Sequence, residues 1–329
     1  MKGRHVAGPI LVHGAYIAEI SAFILILNYL DFSSSQKQWL FSAYSIALCL
    51  ALPIGGYLSD RWGYGKTYLA GAALFVGSCS LMLVSGSFEL LLFSRIAQGF
   101  SAGIFSPMVP LMLSDPKKDN GRVLAFWGGV SSIFSVCLPF TVGTLASGID
   151  WKFAWLVIPT LALIGLICGF QRTTQTAPKE KCQIFGGGLT SVLGLIFFSF
   201  GISTLFLFSA PSTVLGGMGQ GALLSILWVS SAATNFGISK HLTQTTAWNF
   251  SFAGVVLILV ALAGLYLQLP YFSAVFCGIG LGLTNAPTTY LVLKHAPPSR
   301  HGLASSTDIL SARLGGAVFV LLVPGLFAV

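Results

Sequence analysis

The sequence predicts an all-α integral membrane protein built from two helical bundles, with six plus about five transmembrane helices. Hydrophobic residues make up 55% of the chain and charged residues only 8%, which is about a third of the charged share of soluble proteins. The apolar residues form long runs, and a helix needs about 20 such residues to cross a bilayer. One polar stretch divides these runs into two groups.

Eleven apolar runs are long enough for transmembrane helices. In chain order we expect them at residues 8–30, 39–58, 67–86, 88–112, 123–146, 153–171, 186–209, 213–236, 247–267, 270–294 and 306–328. A soluble protein with these runs would need helices that are apolar on every face, so that class is excluded. The first run is too long for a cleaved secretory signal.

The polar stretch at residues 172–183 contains a proline and several charges. It predicts an N-terminal six-helix bundle at 1–171, a central cytoplasmic loop at 172–183 and a C-terminal bundle of about five helices at 184–329. Transporters with repeated halves place their substrate site between those halves, near the middle of the membrane.

The basic residues predict the orientation of the chain. With the N-terminus in the cytoplasm, Lys37 and Lys152 lie outside, and thirteen basic loop residues lie inside: Lys2, Arg4, Arg61, Lys66, Lys117, Lys118, Arg122, Arg172, Lys179, Lys181, Lys240, Lys294 and Arg300. This asymmetry follows the positive-inside rule. We therefore expect a multi-pass protein of the plasma or inner membrane, whose net charge of +8 faces anionic lipid rather than nucleic acid.

A glycine-rich loop follows the second span, with the sequence G-G-Y-L-S-D-R-W-G-Y-G-K at residues 55–66. Charges are scarce in this chain, yet three of them fall within seven positions here, beside four glycines. Paired glycines at the end of an apolar helix allow another helix to approach closely. The Asp-Arg-Trp-Gly sequence at 60–63 predicts a tight, charged turn at the membrane surface.

This loop resembles the signature loop between helices two and three of the major facilitator superfamily of transporters. The matching residues are Gly56, Leu58, Asp60, Arg61, Gly63 and Lys66. Tyr64 and Gly65 stand where the family usually has basic residues. The resemblance implies that the loop is a conformational latch, which holds the two bundles in one state through charge and helix-dipole contacts. The alternative is an ordinary solvated turn.

Other segments are similar to the drug–proton antiporter branch of the same family. They lie at residues 38–44, 95–99, 150–155, 302–306 and 313–316. The resemblance implies a secondary active transporter that works by alternating access, with proton-coupled efflux of a drug-like compound or secondary metabolite as its function. The alternatives are proton-coupled uptake of a metabolite, and a shortened, non-transporting sensor or assembly protein.

Two features depart from the exporters of this family. Of their glycine–proline pattern in the fifth span, only Pro139 and Gly143 remain, and we expect the helix to kink there. Eleven spans is also one fewer than twelve, so the chain resembles a member of the family that is shortened in its C-terminal half; the alternative is a further helix in the second half that the apolar runs do not reveal.

Glu19 and Arg95 are charged residues inside apolar spans, where a charge costs roughly 2.5 to 3.5 kcal/mol and usually faces the interior of a bundle. Their depths in the membrane place them within reach of each other. A desolvated carboxyl can exchange a proton near neutral pH. We therefore expect Glu19, Arg95 and Gln98 to serve in proton coupling or substrate contact, with a purely structural ion pair as the alternative.

Three further ionisable residues are secondary candidates. Asp308 and Arg313 lie near the cytoplasmic end of the last span, where we expect both to reach the surface and to be structural. His13 lies in the first span, and we expect a hydrogen-bonded packing residue, with a proton relay as the alternative.

The sequence contains no phosphate-binding loop, metal-ligand cluster or nucleophile elbow. We therefore expect neither an enzyme nor a cofactor-binding protein. The expected partners are a small-molecule substrate, protons and the lipid bilayer, without nucleic acid, and the expected oligomeric state is a monomer.

Overall fold

The computed structural model describes residues 4–114, 119–148, 150–169, 187–210 and 217–322, and its regular structure in these ranges is helical. The helices are α1 (Arg4–Ile26), α2 (Ser34–Trp62), α3 (Tyr64–Val84), α4 (Phe88–Phe105), α5 (Met108–Leu113), α6 (Gly121–Gly148), α7 (Trp151–Trp155), α8 (Val157–Gly169), α9 (Gly187–Ser209), α10 (Gly217–Ile238), α11 (Gln244–Tyr266), α12 (Pro270–His295) and α13 (His301–Leu322). Each expected span coincides with one helix or with two consecutive short ones. Among the described residues, eight helical segments are long and apolar enough to cross a membrane.

Local sequence signals set several helix boundaries. Ser33 and Gln36 form a reciprocal capping box at the start of α2, and Ser87 caps α4 in a similar way through its side chain. These side chains satisfy backbone N–H groups that have no partner within the helix. Helix α2 ends at Trp62 and is followed by Gly63, whose φ is 94°. Only glycine adopts this conformation without strain.

The chain divides into two compact units. The first unit comprises Met1–Leu113, Cys137–Lys181 and Ser299–Ser306, and the second comprises Ser114–Val136, Cys182–Pro298 and Thr307–Val329. The predicted central loop at 172–183 lies outside the described residues, and so do the side chains of Pro139 and Gly143 in α6. The domain limits drawn from the sequence and the kink in α6 therefore stay predictions.

Glycines bring α2 and α4 into direct backbone contact in the first unit. A Cβ atom on Gly103 would lie 2.6 Å from the carbonyl oxygen of Leu48, and a Cβ atom on Gly99 would overlap the carbonyl oxygen of Tyr44. Helices without side chains at their crossing can pack backbone to backbone, which favours van der Waals contact in a membrane. This close packing fixes the position of the preceding turn of α4, which begins at Arg95.

The second unit repeats this arrangement with α10 and α12. A Cβ atom on Gly278 would overlap the carbonyl oxygen of Leu227, and one on Gly282 would lie 2.9 Å from that of Ser231. The glycines are four residues apart in both units, and so are the carbonyl groups that they contact. An apolar core surrounds this crossing, formed by Ile202, Phe206, Ala210, Leu223, Leu227, Ile258, Ala261, Leu265, Ala274, Cys277 and Leu281.

Candidate functional site

Helices α1 and α4 bring Glu19 and Arg95 together inside the first unit. Nη1 of Arg95 donates to Oε1 of Glu19, and both side chains are 0% exposed. The structure thus contains the contact that the depths of the two residues in the sequence predicted. A fully buried pair of charges is retained only where its geometry offsets the cost of removing both groups from water.

Gln98 holds the guanidinium from a second direction. Nη1 of Arg95 also donates to Oε1 of Gln98, with the two atoms 2.6 Å apart, and Nε donates to the carbonyl oxygen of Leu40 at 3.2 Å. The amide nitrogen of Gln98 donates in turn to Oγ of Ser94 and to the carbonyl oxygen of Ser78. These two bonds orient the amide so that its oxygen faces Arg95.

Two aromatic rings complete the surroundings of the guanidinium. Its Cζ atom lies 3.8 Å from the ring centroid of Phe23 on α1 and 4.4 Å from that of Tyr44 on α2. A cation over an aromatic face is attracted to the negative potential of that face, and more strongly where water is absent. Arg95 therefore has favourable contacts beyond its ion pair with Glu19.

One carboxylate oxygen of Glu19 receives no hydrogen bond from the described residues. Within the described part of the chain, Oε2 of Glu19 and Nη2 of Arg95 have no hydrogen-bond partner. A buried carboxylate oxygen without a donor is costly, and protonation of the carboxyl relieves that cost. The cluster of Glu19, Arg95 and Gln98 is therefore chemically suited to binding and releasing a proton.

The second candidate site is the C-terminal end of α2, because Asp60 lies in the last turn of that helix and not in the turn that the sequence predicted at 60–63. Oδ1 of Asp60 accepts the backbone N–H of Gly302 at 2.8 Å, and Oδ2 accepts that of Leu303 at 3.1 Å. These N–H groups belong to the first turn of α13, 242 and 243 residues further along the chain. Asp60 thus caps a distant helix, and its negative charge also favours the positive end of the helix dipole.

Small residues make this contact possible. A Cβ atom on Gly302 would overlap Oγ of Ser59, and one on Gly56 would lie 2.8 Å from Cα of Leu303 and 2.7 Å from Oγ of Ser306. A larger residue at either glycine would push the start of α13 away from α2. Ser59 itself donates to the carbonyl oxygen of Gly56.

The two basic residues of the segment 55–66 have different surroundings from Asp60. Arg61 is exposed and donates to the hydroxyl of Tyr57 at 3.3 Å, and Lys66 is exposed at the start of α3. The basic residue whose charge acts on Asp60 is Arg300, which directly precedes α13.

The secondary candidates have different environments. Asp308 is only 7% exposed, and its Oδ2 accepts a hydrogen bond from Oγ1 of Thr289 at 2.8 Å. The expectation that Asp308 reaches the surface is therefore wrong, because α12 covers it. Arg313 is exposed, and His13 is buried with its ring centroid 5.5 Å from that of Tyr16.

The sequence did not identify Phe23, Tyr44 or the first turn of α13 as parts of these sites. Phe23 follows Glu19 by one helical turn, a spacing that places both side chains on one face of the helix. The sequence therefore contained a signal that Phe23 lies near Glu19. The partners of Asp60 are backbone groups, which carry no side-chain signal. Within the described residues, no three His, Cys, Asp or Glu side chains are grouped as metal ligands.

Comparison with known families gives a match along nearly the whole chain. The sequence model of the Major Facilitator Superfamily matches residues 10–320. An uncharacterized MFS-type transporter of Mycobacterium tuberculosis is 27% identical over 73% of this chain and 42% of its own length. The methylenomycin A resistance protein of Bacillus subtilis is 26% identical over 53% of this chain and 38% of its own length. The multidrug export protein EmrB of Haemophilus influenzae is 29% identical over 38% of this chain and 25% of its own length. The chain thus spans about two fifths or less of the length of these relatives.

Two solved structures have the same fold. The proton:xylose symporter XylE, bound to 6-bromo-6-deoxy-D-glucose, superposes with a TM-score of 0.78 over 99% of this chain and 88% of its own, at 14% identity. The human organic anion transporter MFSD10 gives a TM-score of 0.71 over 98% and 93%, at 17% identity. At such low identity the likeness concerns the fold alone.

Proposed function

Because the chain belongs to the major facilitator superfamily, we propose that it exports a small organic molecule across the cell membrane by proton-coupled alternating access. The cargo class that we propose is a drug-like compound or a secondary metabolite. The names of relatives such as the methylenomycin A resistance protein and EmrB support export rather than uptake.

The observation that carries this proposal is the buried cluster of Glu19, Arg95 and Gln98. A proton that binds to Oε2 of Glu19 neutralises the carboxylate and converts its ion pair with Arg95 into a weaker hydrogen bond. Loss of that proton restores the ion pair. A difference in proton affinity between two conformations of the transporter would couple this step to the movement of cargo.

Asp60 in the last turn of α2 fits the role of a latch for one of these conformations. Its two hydrogen bonds to the first turn of α13 form only while Gly302 stays against Ser59 and Gly56. Breaking them exposes two N–H groups and one carboxylate, a loss typical of a helix cap, about 0.5–2 kcal/mol. Such an energy is enough to bias an equilibrium between two states without locking it.

Transport into proteoliposomes with an imposed pH gradient tests the function, with the fluorescent dye ethidium as the probe. We expect accumulation of ethidium against its gradient, in exchange for protons moving down theirs. Accumulation in the same direction as the protons would indicate uptake by symport instead. Absence of any movement of ethidium or protons would favour a sensor or assembly protein.

We also propose that the protein works as a monomer with a cytoplasmic N-terminus. Reporter fusions at Lys118 and Gln175 should then read as cytoplasmic, and fusions at Ser34 and Asp150 as external, because of the asymmetry of the basic residues. An external signal at Gln175 would contradict the division into six and five spans.

A further inference from the structure

Arg95 lies in an environment built for a cation that keeps its charge. Its guanidinium contacts the ring of Phe23 from α1 and that of Tyr44 from α2, and it donates to the oxygens of Leu40 and Gln98. Arg95 is 0% exposed. These four contacts remain available to Arg95 when Glu19 is neutral. The attraction to the two rings is then stronger, because a carboxylate no longer compensates the charge of the guanidinium.

A protonated Glu19 creates a specific difficulty for this site. The carboxyl then no longer balances the charge of Arg95, and a guanidinium without a counter-ion in a dry interior would leave its position or weaken the fold. Aromatic faces attract a cation without being ions themselves. They can hold Arg95 in place during the interval in which Glu19 is neutral.

We propose that Phe23 and Tyr44 are positioning residues that stabilise the charge of Arg95, so that Glu19 can bind and release a proton without displacing it. This inference rests on the proposed role of Glu19 in proton coupling. Neither ring takes part in the proton transfer. Their effect is on the pH at which the transfer occurs, because the rings attract an unpaired guanidinium more strongly than an ion-paired one and so favour the state in which Glu19 is neutral.

The other titratable groups around Glu19 do not replace this role. On α1 itself, His13 and Tyr16 lie one to two turns earlier. Arg95 from α4 is the ion partner, and Tyr44 from α2 is one of the two rings. Helices α5 and α8, which also pack against α1, have no charged residue, and the thiol of Cys168 on α8 is exposed.

An infrared titration of the purified protein in detergent tests the proposal without requiring transport. The carbonyl stretch of a protonated carboxyl is recorded as a function of pH, and the spectra of Glu19→Gln are subtracted to isolate the band of Glu19. We expect the midpoint of this band to move to lower pH by about one unit in Tyr44→Leu and in Phe23→Leu, since one unit corresponds to the energy of a single cation–π contact. Tyr44→Phe keeps the ring and should retain the midpoint of the unmodified protein.

Each outcome has a defined meaning. An unchanged midpoint in both leucine variants, or an equal shift in Tyr44→Phe and Tyr44→Leu, would overturn the role of the rings. If Phe23→Leu fails to fold, the comparison of the midpoints of Tyr44→Leu and Tyr44→Phe still tests the proposal. The proposed function is tested separately by ethidium transport in the unmodified protein: a failure there with shifted midpoints would contradict export but leave the aromatic positioning intact. Absence of a Glu19 band at any pH would overturn both.

Discussion

The helix pair α2 and α4 of the first unit and the pair α10 and α12 of the second are built on the same pattern but enclose different chemistry. In each pair, two glycines four residues apart contact carbonyl groups four residues apart. One turn before the first glycine stands Arg95 in the first unit and Ala274 in the second. The residue directly before that glycine is Gln98 in the first unit and Cys277 in the second.

The partner helices differ in the same way. Leu40 and Tyr44 contact Arg95 through a carbonyl oxygen and a ring, whereas Leu223 and Leu227, at the corresponding positions of α10, belong to the apolar core with Ala274 and Cys277. Backbone packing is thus common to the two helix pairs, and the charged side chain buried at the crossing belongs to the first pair. This contrast indicates that Arg95 is not needed to pack such a helix pair, and it favours a functional role for the charges.

The largest effect on this comparison should come from Arg95→Ala. The change leaves the carboxylate of Glu19 buried without its cation, and breaking a buried ion pair costs about 3–5 kcal/mol. Position 274, which corresponds to Arg95, is already alanine, so Cys277→Ala at the position that corresponds to Gln98 is the control in the second unit and should cost about 1 kcal/mol. Thermal unfolding of the purified variants measures both. If the two variants are equally stable, the ion pair between Glu19 and Arg95 does not contribute measurably to the stability of the first unit.

Adding Glu19→Gln to Arg95→Ala sharpens this test. The double variant contains no unpaired charge, so we expect it to recover a large part of the lost stability while remaining unable to couple to protons. Recovery would assign the destabilisation to the buried carboxylate rather than to lost packing of the Arg95 side chain. Stability no better than that of Arg95→Ala would assign it to packing.

The glycine crossings should respond alike in the two units. Gly99→Ala and Gly278→Ala each place a methyl group against a carbonyl oxygen of the neighbouring helix, and overpacking of this kind costs about 1–3 kcal/mol. Gly77→Ala in α3 is the control, because its Cβ would meet nothing within 4 Å. Unfolding measurements that show a cost in only one unit would contradict the shared packing pattern.

A smaller energetic effect with a clear kinetic result is expected for Asp60→Asn. The variant loses the charge that caps α13, and a loss of about 1.4 kcal/mol from the latched state would change transport rates roughly tenfold. Asp150→Asn is the matched control, because Asp150 caps only the adjacent helix α7 through the N–H of Lys152. Equal ethidium flux in both variants would show that the cap that Asp60 forms on α13 has no role in transport.

The sequence predicted much of the fold and part of the site, for reasons that differ between residues. Apolar runs defined the helices because membrane spans must satisfy their own backbone hydrogen bonds. Glu19 and Arg95 were identified because charges are rare in such runs. Asp60 was identified by family resemblance, but its partners Gly302 and Leu303 donate through the backbone, which no side-chain pattern reports.

The burial of Asp308 could not be predicted from the sequence either. Its position near the start of α13 suggested access to the surface, whereas in the structure it is buried and accepts a hydrogen bond from Thr289 on α12. Asp308 is consequently a second buried carboxyl among the described residues, and it accepts a hydrogen bond from Thr289. It is the next candidate for proton coupling if Glu19 does not serve that purpose.

The central claim is that Glu19 is the group whose protonation drives transport, and Glu19→Gln tests it most directly. Glutamine keeps the shape and much of the hydrogen bonding of the side chain but cannot release a proton. The measurement is ethidium accumulation in proteoliposomes under an imposed pH gradient, together with ethidium binding to the same purified variant. We expect that binding survives and that gradient-driven accumulation falls to the level of protein-free liposomes. Accumulation by Glu19→Gln equal to that of the unmodified protein would contradict the claim, and Glu19 with Arg95 would then be a structural pair.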